Sequence, residues 1–118
     1  GWGGIPACQA LATMCDSLGW GLSQHSNNHA GVTMAAMIHL AASTPQLTYA
    51  SATHYPHLPK RADILVGGKL PIREGKMDVP HGTGLGVEID ESRFEKINAE
   101  KKFSWPVPTL PDGAVRDY

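Results

Sequence analysis

Apolar and polar positions fall into regular blocks over the first sixty residues. Pro6 suits the first turn of a helix, Ala7 to Leu18 continue it with good helix formers, and Gly19 ends the run as a C′ residue. Trp20 to Gln24 reads as a short strand. Val32 to Ala42 is apolar nearly all round (Met34, Ala35, Ala36, Met37, Ile38, Leu40, Ala41), which predicts a helix buried on more than one side. Pro45 follows, then a second strand over Leu47 to Ser51, then a loop carrying His54, Tyr55, Pro56 and His57. Helix, strand, helix, strand is the rhythm of a parallel sheet with crossover helices.

After Pro59 the pattern changes. Ile64 to Val66, Lys69 to Ile72 and Met77 to Val79 read as short strands set apart by Gly67-Gly68 and Glu74-Gly75, a small antiparallel unit. Leu85 to Ile89 then leads into a last helix with Asp90 or Ser92 as its N-cap. Ser92 and Glu95 have capping-box spacing, and Lys96, Lys101 and Lys102 suit the C-terminal half through the helix dipole. The Pro106-Val107-Pro108 tail cannot be helical.

Two strand-helix units cannot close a barrel, which takes about 250 residues, and alone they would leave strand edges and the apolar helix uncovered. The expectation is therefore the C-terminal part of a larger α/β protein. The opening Gly1-Trp2-Gly3-Gly4, a loop running into a helix with no strand before it, gives the same impression of a start in mid-fold.

Composition narrows the partners. The 118 residues carry ten Lys and Arg against eleven Asp and Glu, a formal charge of −1, with no basic cluster. That argues against nucleic acid or an anionic membrane and favours a small molecule. No apolar run reaches the roughly 18 to 20 residues of a membrane span, and no signal peptide opens the chain, so a cytoplasmic location is expected. Cys8 and Cys15 would lie about 10 Å apart in one helix. That exceeds the limit of about 7 Å for a disulfide, so both are expected to be small buried apolar residues.

Chemistry concentrates where the first strand ends. Trp20-Gly21-Leu22-Ser23-Gln24-His25-Ser26-Asn27-Asn28-His29 opens from an apolar strand into imidazoles, a hydroxyl and amides, just before the helix at Val32. In parallel α/β folds the loop leaving a strand's C-terminal end is where catalytic groups sit, which makes His25 the first candidate. His25 and His29 also have the spacing of half a zinc finger, but no cysteine or further ligand pair of the right kind accompanies them. His39, inside the apolar helix, reads as structural, and Met14, Met34 and Met37 as core packing. The glycines at 67–68 and 82–86 lack a phosphate-loop lysine and read as turns.

Trp20 to His39, together with Ala50 to Tyr55 and Gly84-Leu85-Gly86-Val87-Glu88-Ile89-Asp90, resembles the C-terminal part of glucarate dehydratases and their near relatives in the enolase superfamily. The resemblance implies the C-terminal portion of a modified TIM barrel, (β/α)7β, with Trp20–Gln24 and Leu47–Ser51 as its seventh and eighth strands. Residues 1–59 would then be the last barrel elements. Residues 60–118 would be an antiparallel return segment packing on an α+β capping domain. The upstream barrel, most of the capping domain and some 300 residues in all would precede Gly1.

The implied reaction removes the proton next to a carboxylate of a sugar diacid, such as D-glucarate or L-idarate, and expels the β-hydroxyl, with the enediolate stabilised on Mg2+. Such a reaction needs a base working near neutrality, and histidine, with an ordinary pKa of about 6.5, fits. The resemblance puts the base on His25 and substrate contacts on His25, Ser26, Asn27, His54 and Arg116. It places the Mg2+ ligands upstream of this chain, so no metal ligand is expected here. Ala52 and His57 depart from the pattern, where relatives commonly have an acid and an aromatic. The expected partners are a small sugar diacid, the upstream part of the same enzyme and further copies in a homo-oligomer, with no nucleic acid and no membrane. An acid-sugar racemase or epimerase on the same fold, or a non-catalytic fragment, are the alternatives.

Overall fold

A computed structural model of the chain describes residues 3–27, 29–59 and 63–100. The elements run α1 (Gly4–Ser17), β1 (His25–Ser26), α2 (Gly31–Ala42), β2 (Ala52–Thr53), a single 3-10 turn (Tyr55–His57) and α3 (Glu91–Glu100). The two strands pair in parallel, His25 opposite Ala52 and Ser26 opposite Thr53, with α2 as the crossover. The α/β alternation read from the sequence is present, and α1 packs beside α2.

The strands lie further along the chain than the apolar pattern placed them. Around Trp20–Gln24 and Gln46–Ser51 the chains already exchange bonds, Leu22 N–H to the Gln46 carbonyl (3.0 Å) and Tyr49 N–H to the Leu22 carbonyl (3.1 Å). Regular pairing is delayed because residues 44–48 are bent. Leu47 N–H donates to the Thr44 carbonyl, and Thr48 N–H to that of Gln46. Ladder geometry starts where Ala52 N–H meets the Gln24 carbonyl at 2.9 Å. The two strands therefore end in the polar residues of the histidine loops.

α2 is buried through Gly31, Met34, Ala35 and Ile38. Its apolar face forms the core with Tyr55, and Met37, Leu58, Leu70, Met77 and Val79 pack around that cluster. Leu70, Met77 and Val79 belong to the segment expected to return to another domain. Within this chain those three side chains pack against the cluster of Met34, Ile38 and Tyr55. Instead of three short strands, residues 63–90 form two single antiparallel bridges, Leu65 with Ile89 and Arg73 with Lys76. Pro71 and Pro80 cannot donate to a ladder. The second bridge closes over Glu74 and Gly75, both at positive φ as a tight primed hairpin turn requires.

Two expectations about packing change. Met14 is 63% exposed rather than part of the core. Cys15 is buried but Cys8 only partly so, and both are free thiols. His39 is a satisfied structural histidine, its Nε2 bonded to the Leu85 carbonyl at 3.1 Å. Of the two possible caps for the last helix, Asp90 is the one used, its Oδ1 accepting from Arg93 N–H at 3.0 Å. Ser92, placed inside the first turn, donates its hydroxyl to the same oxygen at 2.8 Å. Lys101, Lys102 and the Pro106–Pro108 tail lie outside the described residues.

Candidate active site at the strand ends

Side chains alternate across a strand with period two. The register therefore sorts the polar residues at the strand ends into two sets. His25, Ala52 and His54 share one face and are exposed. Ser26 and Thr53 share the other, which faces α2.

On the exposed face the His25 and His54 rings stand edge to face, 6.0 Å between centroids and 85° between planes. Asn27 turns back so that its Oδ1 lies 2.9 Å from His25 Nε2. An amide oxygen only accepts. With this contact the neutral ring carries its proton on Nε2 and its lone pair on Nδ1. Two imidazoles and a carboxamide so arranged can accept a proton from carbon or oxygen and can donate to a carboxylate or hydroxyl. His29 is also exposed.

Ser26 lies on the buried face. Its side chain is 1% exposed, and its hydroxyl lies 2.7 Å from the Thr53 hydroxyl, on the side of the strands opposite the His25 ring. The Ser26 hydroxyl is thus not presented with His25, Asn27 and His54. The fifth expected contact, Arg116, lies outside the described residues. The buried Gln24 Nε2, one residue before His25, has no hydrogen-bond partner among the described residues.

A second group of residues, not singled out from the sequence, anchors the His54 loop. Tyr55 is fully buried and donates its hydroxyl to Asp63, itself 1% exposed. The same hydroxyl accepts from Leu70 N–H at 2.9 Å, while Asp63 Oδ1 accepts from Leu65 N–H at 3.2 Å. Burial, followed by the bond to Asp63, raises the Tyr55 pKa well above that of a free phenol. Lys69 donates to the carbonyls of Pro56 (3.1 Å) and Leu58 (2.6 Å), with its ammonium 5.0 Å from the Tyr55 ring centre. Asp63 also stands over the start of α2, where a negative charge is favoured by the helix dipole. An aspartate four residues after Pro59 in a polar stretch gives no sequence signal for such a role.

Among the described residues no group of three or more His, Cys, Asp or Glu side chains is placed to hold a metal ion. The described residues therefore do not fit a magnesium site. No helix of the described residues is long and apolar enough to cross a membrane.

Comparison with known proteins agrees with the α/β unit. The family model described as enolase C-terminal domain-like matches residues 1–93. The chain belongs to this family. Its α/β architecture is that of the enolase superfamily C-terminal domain, and the parallel β-α-β unit is consistent with a piece of a TIM barrel.

Among curated relatives of this enolase-superfamily chain, a probable glucarate dehydratase from Streptomyces coelicolor is 42% identical over 98% of this chain and 25% of its own length. A D-gluconate dehydratase from Thermoproteus tenax is 30% identical over 97% of this chain and 22% of its own. The chain thus spans about a quarter of the length of these relatives. Among solved structures, an enolase from Pseudomonas fluorescens Pf0-1 with bound magnesium, potassium and tartrate superposes with a TM-score of 0.80 at 43% identity. That superposition covers 84% of this chain and 23% of the other. An enolase from Mycobacterium smegmatis complexed with tartrate gives 0.78 at 46% identity, over 84% and 23%.

Proposed function

We propose that the complete protein is a sugar-diacid dehydratase in which His25 is the acid-base catalyst and Asn27 and His54 bind the substrate. The observation that carries this reading is the pairing of the His25 and His54 rings, 6.0 Å apart on the exposed face of the strand ends. The dehydratase names of two relatives support it.

In this reading the lone pair of the neutral His25 ring takes the proton from the carbon next to a carboxylate. The electron pair of that C–H bond becomes the new carbon-carbon double bond. The C–O bond to the β-hydroxyl breaks, and the His25 imidazolium returns its proton to the departing oxygen, which leaves as water. The enol that remains becomes a keto acid by proton transfer with solvent. The ring thus ends in the state in which it began. His54, on the same face, offers a donor to a substrate carboxylate or hydroxyl. Arg116 is assigned to a substrate carboxylate on the family resemblance, and magnesium to residues outside this chain on the same ground.

The test is turnover by the complete protein with Mg2+, offering D-glucarate, L-idarate and D-gluconate and measuring keto-acid product. Diacid turnover is expected, and His25→Asn should lower it by about 10²- to 10⁴-fold with an unchanged circular dichroism spectrum. Absence of turnover, or near-parental activity in His25→Asn, overturns the reading. Exchange of the α-hydrogen for deuterium without elimination would replace it with an epimerase.

A further inference from the structure

The hydrogen bonds under the two catalytic strands converge on one atom. The strands are two residues each, so few backbone bonds set their spacing. The last of these, His54 N–H to the Ser26 carbonyl, is long at 3.3 Å. Directly beneath it the Ser26 and Thr53 hydroxyls meet at 2.7 Å. Thr53 Oγ1 also accepts from Tyr55 N–H at 3.1 Å and donates toward the Met34 sulfur at 3.6 Å. A hydroxyl has one proton and two lone pairs. With Ser26 O–H and Tyr55 N–H as donors and Met34 as acceptor, the Thr53 hydroxyl is saturated. Its three partners lie on β1, α2 and the turn that follows His54.

We infer that the Thr53 hydroxyl is a positioning group for the active site: it fixes the His25–His54 spacing while touching neither ring. The inference rests on the proposed acid-base role of His25. Each histidine is chain neighbour to a residue this hydroxyl holds. Ser26 follows His25, and His54 lies between Thr53 and Tyr55. Loss of the hydroxyl removes the cross-strand contact and the anchor of the turn together, and leaves the Tyr55 N–H without its acceptor. Displacement of a reacting group by about 1 Å can cost on the order of 10²-fold in rate.

The experiment uses the complete protein and three substitutions. Thr53→Val keeps the shape and removes the hydroxyl, Thr53→Ser keeps the hydroxyl, and Ser26→Ala removes one partner while leaving the turn anchored. Crystal structures read the ring spacing, and steady-state kinetics on the diacid read kcat and KM separately. Thr53→Val is expected to shift the His25–His54 centroid distance and lower kcat by about 10- to 100-fold. Thr53→Ser should restore both. Ser26→Ala should fall between them, and adding it to Thr53→Val should cost nothing more, since the shared contact is already gone.

Parental kcat and spacing in Thr53→Val overturn the inference. If that variant does not fold, parental kcat and spacing in Ser26→Ala overturn it instead. Lowered thermal stability with unchanged kcat, KM and spacing in both also overturns it, because it makes the hydroxyl merely structural. If the parent protein turns over no diacid, the dehydratase reading fails by itself. Positioning is then decided by the crystallographic spacing alone.

Discussion

Ala52 stands opposite His25 in the parallel register, on the same exposed face and two residues before His54. A methyl group there puts no charge beside the two imidazoles. Ala52→Asp would introduce an anion that repels a substrate carboxylate but also accepts a hydrogen bond from a protonated His54. Orientation of His54 should prevail, so the ratio of kcat/KM values for epimeric diacids should change more than stability does. Kinetics on glucarate and its epimers check this, and an unchanged ratio would place Ala52 outside substrate recognition.

Tyr55→Phe removes a hydroxyl that serves both Asp63 and Leu70 N–H. Hydrogen bonds to charged groups are worth about 1.5–3 kcal/mol, and a loss of that size is expected in denaturant unfolding of the complete protein. The sign with pH follows from the raised phenol pKa. The contribution is complete below about pH 10, the value for an unfolded tyrosine, and is lost as pH rises toward the folded value. The parent should therefore lose stability at alkaline pH more steeply than Tyr55→Phe.

Gly31 begins α2 with Leu65 and Asp63 resting on it. A Cβ there would lie 2.7 Å from Leu65 Cγ and 2.8 Å from Asp63 Oδ1, and both neighbours are buried. Gly31→Ala should destabilise by about 1–3 kcal/mol from overpacking, more than the gain of under about 1 kcal/mol in helix propensity offsets. Combining it with Leu65→Ala should cost less than the two changes summed, a non-additivity measurable from unfolding midpoints.

Asp90 holds the start of α3, and its carboxyl pKa is lowered, first by the Arg93 N–H and then by the Ser92 hydroxyl. The capping contribution is thus present above the ordinary aspartate pKa of about 3.9 and is lost as pH falls through the lower folded value. Amide exchange at Arg93, corrected for intrinsic rates, should show the first turn opening under acid. Asp90→Asn should retain the cap without that acid step, since asparagine caps as well as aspartate.

Legibility in the sequence followed the range of the forces involved. α2 and the histidine loop were visible because both are local: an unbroken apolar run, and a polar cluster leaving an apolar segment. The strand boundaries were not, because Leu47 and Tyr49 have the right composition while the turn at residues 44–48 delays their pairing. The family resemblance puts Ser26 with His25 and Asn27 among the substrate contacts. Only the register with Thr53, set 27 residues away, shows that its hydroxyl faces the other way. Asp63 and Tyr55 acquire their importance from burial together, which neither residue signals alone.

The β1-α2-β2 crossover brings both imidazoles together within a single contiguous stretch of chain. Closing a loop of this length costs little more entropy than closing one half as long, about 0.6 kcal/mol per doubling. Pairing of His25 with His54 therefore depends on one short closure over α2 rather than on docking of distant segments. In the folding of the complete protein this pair should form with its own crossover, early relative to contacts of greater sequence separation.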